Sequence, residues 1–504
     1  MKAMLIELVC PTSSPIQPVI PETRRKPKLI WFDTGNLITI NTSIGKKLQK
    51  NTWIYWKKVV TLQPKQWKKV ANMLKRKIID RLEKWYQSGH YKAPLVFGAR
   101  QVGKTTAIRE FAKAHYGHLI EVNFVKHPMA AKAFDGDLTT HTIITNLSAM
   151  GFGPFVEGKT LVFFDEIQEC PNARTAIKFL VEEHLFDYIE SGSLLGINYK
   201  PVPSYPVGYE ERYDVYPLDF EEFLWAKGVS NDVIEILKKS YRQLSPVPEF
   251  IHQQISRYYR EYLVVGGMPE AVQTFVTKTD FNEVVKVQRS IMTTYRADIT
   301  SYAGKMAPLV KRVFDAMPSA LGKQDKRFIL SDIEKGASLR KYEDPTQWLI
   351  DAGIAYYSFN TNAFELPFEA TENRRLYKLY MVDTGLLCSQ LLKKMQFSVM
   401  NGEIDINEGA LTENFVACAL AANDVALHYY DKKSKLELDF VIPDENGITI
   451  IEVKSGAEYK RHASLNNAIA SNAMKIDRSI VLSANNVEVD NGIIYLPLYM
   501  ASLI

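Results

Sequence analysis

The sequence predicts an α/β protein built on a parallel sheet, and three observations predict it. Four short, mostly apolar runs, "PLVF" (94–97), "LIEVNF" (119–124), "TLVFF" (160–164) and "LFDYIES" (185–191), alternate with helical stretches such as "TAIREFAKAH". Such alternation is the pattern of parallel strands covered on both faces. The first run leads into Gly-x-x-x-x-Gly-Lys-Thr, and the third ends in Asp165-Glu166. Both place ligand-binding groups at the carboxyl ends of strands, where open α/β sheets take their ligands. At 504 residues, and about 100–200 residues per domain, roughly three domains are expected.

Taken in order, residues 1–72 read as an irregular appendage, since "CPTSSPIQPVIPE" puts four prolines in thirteen residues and proline resists regular structure. From Trp67 the apolar positions Val70, Leu74, Ile78, Leu82 and Trp85 recur at three- and four-residue steps, which predicts an amphipathic helix running to Gln87. Residues 73–230 are expected to form the nucleotide-binding α/β core. From 231 to 400 the pattern is largely helical; "FILSDIEKGA" and "YEDPTQWLIDAGIAYYSFN" read as two short helices leading into a strand pair, a winged-helix-like arrangement. Residues 401–504 return to mixed helix and strand.

The stretch "PLVFGARQVGKTTAIREFAK" carries the chemistry. A glycine-rich turn between strand and helix lets successive backbone N–H groups point at phosphate oxygens, with the helix N-terminus adding partial positive charge. Gly98, Ala99, Arg100, Gln101, Val102, Gly103, Lys104, Thr105 and Thr106 are therefore the expected nucleotide-binding residues. Lys104 is placed to reach the β and γ phosphates of ATP, and Thr105 with Asp165 to hold Mg²⁺. Glu166 is the candidate base that deprotonates the attacking water. Ser191 and Ser193 are candidates to sense the γ-phosphate, and Arg174 or Arg212 to act as an arginine finger; a turn serine or a surface arginine explains each as well.

In the last block, Glu413 lies on the helical face of Val416, Ala417 and Leu420, so its carboxylate should point inward and need a partner. "LELDFVI" alternates, leaving Glu437 and Asp439 on one face, and "ITIIEVKSG" puts Ile450, Glu452 and Lys454 on another. A helix Glu, a strand Asp and a strand Glu-x-Lys in this order are the arrangement of the PD-(D/E)XK nucleases, whose carboxylates hold Mg²⁺ while the lysine positions water. Glu413, Asp439, Glu452 and Lys454 form the possible nuclease site. A salt-bridged remnant serving for binding is the alternative.

Apolar content of 46% and charged content of 24% exclude a disordered or fibrous chain. A net charge of +5 permits DNA as a partner without arguing for it, because the informative signal is a clustered basic face. The basic run Lys323, Lys326, Arg327, Lys335, Arg340 and Lys341 is the one stretch that could follow phosphates. The four cysteines, Cys10, Cys170, Cys388 and Cys418, are far apart in sequence, which points to a reducing, cytoplasmic setting rather than a disulfide framework. No run approaches the ~18 apolar residues of a membrane helix, and "MKAMLIELVC" lacks a convincing signal-peptide cleavage site.

"KLIWFDTGNL" (28–37) and "KLYMVDTGLL" (378–387) are nearly the same segment, each preceded by an Arg-Arg pair. A shared-proton pair of Asp-Thr-Gly aspartates is the catalytic reading, but the α/β pattern around both copies contradicts the β-rich lobes it needs. Asp33 and Asp383 are accordingly assigned structural roles, and 1–72 is read as a truncated duplicate of the 374–391 region.

From Met73 to Ile504 the sequence resembles prokaryotic AAA-superfamily P-loop ATPases with a C-terminal restriction-endonuclease-like domain of unknown function. "GARQVGKTT", "FFDEIQECPNAR", "SGSLLG", "YPLDFEEFLWA", "YLVVGGMPEAV", "YKLYMVDTGLL" and "FVIPDENGITIIEVKSG" carry the resemblance. It implies an ATP-hydrolysing first part, a winged-helix-like middle and a nuclease-like last part whose activity is open. DNA, a second copy of the chain or an unknown protein are the partners it leaves in play.

Overall fold

The computed structural model describes residues 74–504 except 90, 194–202, 392–407, 433–435, 445–446, 457 and 471–475, together with the backbone of 28–31 and 37–40. Two compact units divide the chain, residues 1–73 and 74–504. In the first unit, β1 (Lys28–Trp31) and β2 (Leu37–Ile40) pair antiparallel with Trp31 in register with Leu37. Among its described residues the expected appendage thus carries regular structure. Asp33, the prolines of 10–22 and the stretch 67–73 lie outside the described residues.

In the second unit, α1 spans Lys77–Gln87, so the expected helix from Trp67 is corrected at its start. Arg76 is extended (φ −129°, ψ 138°), and Lys77 N donates to Glu222 Oε1 at 2.6 Å. A carboxylate from a distant helix thus satisfies one of the N–H groups left open at a helix start. Apolar spacing carries no information about such a partner.

Five strands follow: β3 (Ala93–Gly98), β4 (His118–Asn123), β5 (Thr160–Asp165), β6 (Asp187–Ser193) and β7 (Glu210–Asp214). They form one sheet in the order β4-β5-β6-β3-β7, with every neighbouring pair parallel. Both β3 and β5 are buried along their whole length, as continuous apolar runs in a doubly covered sheet must be. Helices α2 (Lys104–His115), α3 (Thr140–Ala149) and α4 (Pro171–Glu182) connect them. The parallel direction brings the ends of β3, β4, β5 and β6 to one edge.

A helical block follows: α5 (Phe220–Ala226), α6 (Asn231–Gln243), α7 (Glu249–Val265), α8 (Pro269–Lys278), α9 (Phe281–Tyr302), α10 (Ala307–Leu321) and α11 (Leu339–Asp351). Of the two short helices expected after Phe328, "LSD" (330–332) is a single 3-10 turn and only α11 is a full helix. The strand pair is β8 (Ala355–Thr361) and β9 (Glu372–Met381). It is not a free-standing wing, because β8 also pairs in parallel with β10 (His428–Asp431).

That pairing makes β8 and β9 part of an eight-stranded sheet, in the order β14-β15-β13-β12-β11-β10-β8-β9. Its other members are β11 (Glu437–Asp444), β12 (Gly447–Val453), β13 (Ile476–Ser483), β14 (Glu488–Asp490) and β15 (Ile493–Pro497). A boundary at 400 therefore separates strands of one sheet. Helices α12 (Thr384–Leu391), α13 (Glu408–Ala422) and α14 (Ala463–Ala470) complete the unit.

The two Asp-Thr-Gly segments end differently: "LITI" after Gly35 is a strand, and the residues after Asp383 form α12. Isoleucine and threonine favour extended chain, leucine favours helix. Asp383 is buried and accepts from Gly267 N at 2.6 Å and Leu386 N at 2.8 Å. Burial pushes its carboxyl up to about 6 against those backbone donors. It joins α12 to the Gly266-Gly267 turn after α7, which is a structural role.

Candidate functional site

The loop between β3 and α2 closes tightly. Gly98 (φ +156°) approaches the neighbouring chain so closely that a Cβ there would lie 2.2 Å from Val215 O. Gly103 has φ +94°, and a Cβ would come within 3.1 Å of Arg76 Nη1. Only glycine adopts these positions without strain or collision. Arg76 braces the turn, donating to Val102 O at 2.6 Å, Tyr216 O at 2.7 Å and Glu222 Oε1 at 3.1 Å. Sequence reading missed this brace, since its partners are 26 to 146 residues away.

Lys104 is buried, and its Nζ donates to Gly98 O at 2.9 Å and Ala99 O at 2.8 Å. Burial lowers its ammonium to about 8 in spite of Glu166 and Asp165 nearby. The charge is therefore held on main-chain carbonyls and not in an ion pair. Thr105 Oγ1 lies 3.4 Å from both Asp165 oxygens, so a hydroxyl and a carboxylate converge at the loop. Asp165 is also held by Asn123 Nδ2 at 2.7 Å and by the Ser191 hydroxyl. Ser191 of β6 thus orients the β5 carboxylate, and Ser193 is buried at the end of β6.

Glu166 sits in the left-handed region (φ 56°, ψ 47°). For a non-glycine residue this costs roughly 1–2 kcal/mol, and such strain concentrates at functional positions. It turns the carboxylate off the end of β5, where Gln168 Nε2 donates to Glu166 Oε2 at 2.5 Å. Arg174 and Arg212 are committed elsewhere. Arg174 forms a bidentate pair with Glu210 (2.7 and 2.9 Å), and Arg212 lies on Asp214 (2.7 Å). Besides Arg76, the loop carries an arginine of its own, Arg100, whose partners are on α9.

In the C-terminal sheet, Glu413, Asp439, Glu452 and Lys454 are brought into one charged cluster, with two lysines that sequence reading had not placed there. Glu413 is buried; its Oε1 accepts from Lys378 Nζ at 3.0 Å and Tyr380 at 2.5 Å, and its Oε2 pairs with Lys326. Although burial favours the neutral acid, Lys326 and Lys378 hold the Glu413 carboxyl down to about 2. Asp439 Oδ2 accepts from Val453 N at 2.9 Å, and Glu452 Oε2 pairs with Lys454 Nζ at 3.0 Å. Burial and the Asp439 charge raise Glu452 to about 7. Lys378 also stands 3.5 Å from Glu437.

Glu413 and Glu452 already hold ammonium partners, and among the described residues no group of three or more His, Cys, Asp or Glu side chains could hold a metal ion. Lys326 is thereby removed from the basic run proposed for DNA. Lys323 pairs with Asp332, Arg327 with Asp325 and Asp431, and Lys341 with Glu334. Lys335 and Arg340 are exposed. The visible signal for the second cluster was Lys378, which shares a β9 face with Tyr380 by the two-residue period of a strand.

Residues 90–224 match the family described as "AAA domain". Residues 256–396 match "Domain of unknown function (DUF8612)" and residues 408–500 "Domain of unknown function (DUF4143)". No curated protein matches the chain. Among solved structures, the Orc1 protein of Aeropyrum pernix in complex with DNA is 12% identical, covering 64% of this chain and 92% of that one, with a TM-score of 0.24. A RuvB variant of Thermotoga maritima is 16% identical, with 55% and 87% covered and a TM-score of 0.26. Cdc6p from Pyrobaculum aerophilum is 11% identical, with 64% and 93% covered and a TM-score of 0.22. The strand order and the AAA-domain match define an AAA-type P-loop fold for the first part of the second unit. No helix among the described residues is long and apolar enough to cross a membrane.

Proposed function

We propose that the chain binds and hydrolyses ATP at the β3–α2 loop and uses the nucleotide state to control its C-terminal half. The observation that carries this reading is the convergence of Lys104, Thr105, Asp165 and Glu166 at one sheet edge, with the Lys104 ammonium held, among the described residues, by backbone carbonyls. A phosphate oxygen can replace those carbonyls, because no carboxylate has to be displaced.

In this reading the N–H groups of residues 98–106 cradle the phosphates and Lys104 binds β- and γ-oxygens. Thr105 and Asp165 would hold Mg²⁺, which supplies charge neutralisation at the transferring phosphoryl group. Glu166 takes a proton from water as the water oxygen bonds to the γ-phosphorus. The bond from that phosphorus to the β–γ bridging oxygen breaks, and ADP leaves with the electron pair. Glu166 then releases its proton to solvent. Titration calorimetry with MgATP tests the reading: one site per chain is expected, absent in Lys104→Ala. Absence of heat with the unaltered chain would refute it.

For the C-terminal cluster we infer a binding module and not a live nuclease, because its carboxylates are neutralised by lysines and main-chain N–H groups. DNA, a second copy of the chain and another protein are the partners to test by ATP-dependent association. Mg²⁺-dependent nicking of supercoiled DNA that disappears in Lys454→Ala would reinstate cleavage.

A further inference from the structure

Arg100, the second residue of the phosphate loop after Gly98, is partly buried and turned onto α9. Its Nη1 donates to Asp298 Oδ1 at 2.5 Å and its Nη2 to the Tyr302 hydroxyl at 2.8 Å, with the guanidinium 5.0 Å from the centre of the Tyr302 ring. The Arg100 carbonyl accepts from the Tyr295 hydroxyl at 3.2 Å. Tyr295, Asp298 and Tyr302 recur at three- and four-residue steps along α9, so one helical face grips one loop residue. Asp298 is buried, and among the described residues its second oxygen, Oδ2, has no hydrogen-bond partner. An oxygen left in that state makes the carboxylate dependent on Arg100. Burial pushes its carboxyl up; Arg100 opposes that, and the Glu166 charge adds to it.

We propose that Asp298 is a positioning residue that holds Arg100 in the empty state and gives it up to the nucleotide, so that α9 reads whether the phosphate site is filled. The inference rests on ATP binding as proposed above. Arg100 is a member of the loop that would cradle the phosphates, and a guanidinium is a preferred partner of phosphate oxygens. An incoming triphosphate attracts Arg100 and repels the Asp298 carboxylate, so both effects loosen the last turns of α9.

The helix is wired to carry the change. Gln288 donates to Val264 O and Val265 O at 2.8 and 3.0 Å, which ties α9 to the end of α7 beside the Gly266-Gly267 turn held by Asp383. Arg296 pairs with Asp315 of α10 at 2.7 Å. The neighbouring helices α7, α10 and α12 pack into the same apolar core as the C-terminal sheet.

The test is hydrogen exchange on the full chain with and without MgATP, read beside calorimetric affinity. Exchange in peptides covering 295–303 is expected to rise severalfold when MgATP binds. Asp298→Asn should show the raised exchange without nucleotide and bind MgATP about tenfold more tightly, or ~1.4 kcal/mol, since nucleotide no longer competes for Arg100. If MgATP binds while exchange at 295–303 is unchanged or falls, and Asp298→Asn binds no more tightly, this inference is overturned and ATP binding stands. If no MgATP binds to the unaltered chain, both fall. Should Asp298→Asn not fold, Tyr302→Phe removes one tether through a single hydroxyl and must move exchange and affinity in the same directions, by a smaller factor.

Discussion

The loop site and the C-terminal cluster are built from the same materials, a lysine and acidic side chains at strand ends, yet they differ in how charge is settled. At the loop, Lys104 rests on two backbone carbonyls and Thr105 stands 3.4 Å from Asp165. In the C-terminal sheet, Lys326, Lys378 and Lys454 are each spent on Glu413 or Glu452. A polar ligand can enter the first site by exchanging hydrogen bonds. Entry to the second requires breaking buried ion pairs, which costs several kcal/mol because a charge is left unpaired. Motif order is shared by both; readiness to take a ligand is not.

Lys104→Ala should have the largest effect on the open site, weakening MgATP by about 100-fold or more as two or more charge-assisted contacts to phosphate are lost. Calorimetry measures it. A loss under tenfold would mean that the lysine is not a phosphate ligand.

On the saturated site, Lys378→Ala should destabilise the fold by about 3–5 kcal/mol, as expected when one partner of a buried pair is removed. Lys326→Met, Lys378→Met and Glu413→Leu together should recover much of that, since the whole Lys326–Glu413–Lys378 group is then replaced by apolar side chains. Urea unfolding reads both. A triple variant no more stable than the single one would contradict charge saturation as the cluster's organising principle.

The two acids of the cluster should give opposite pH slopes. Glu413, held down to about 2 by its lysines, contributes stability fully present above its ordinary value near 4.5 and lost as pH falls toward 2, worth about 3 kcal/mol. Glu452, raised to about 7 by burial and Asp439, contributes stability present below about 4.5 and lost as pH rises through 7. Glu413→Gln should flatten the acid limb of a stability–pH curve, and Glu452→Gln the neutral limb. Identical curves for both variants would break the assignment.

The smallest effect belongs to Thr105→Ala, which should reduce the Mg²⁺ dependence of ATP binding by about tenfold, one hydrogen-bonding ligand's worth. A titration of ATP affinity against Mg²⁺ concentration measures it, and an unchanged dependence would remove Thr105 from the metal site.

Much of the AAA-type core was legible because its strands are continuous apolar runs and its loop has fixed spacing; β3 and β5 fall within one or two residues of the expected segments. The C-terminal face of Glu437 and Asp439 was legible for the same reason, by a two-residue alternation. Long-range polar contacts were not. Arg76 finds Glu222 and Arg100 finds Asp298 across 146 and 198 residues, and no periodic pattern encodes such pairs. Lys326 was read as part of a basic surface run, because a run of charges looks the same whether its members face water or, as here, one turns in to meet a buried carboxylate. The strand pair β8–β9 was visible, but its junction with β10 depends on a partner more than 60 residues on.

Spin-resonance titration of Mn²⁺ into the full chain with ATP present tests the contrast between the two sites most directly. The account predicts one bound ion per chain, lost in Asp165→Asn and unaffected by Asp439→Asn. A second ion, released by Asp439→Asn, would show that the C-terminal carboxylates are open to metal and would contradict it.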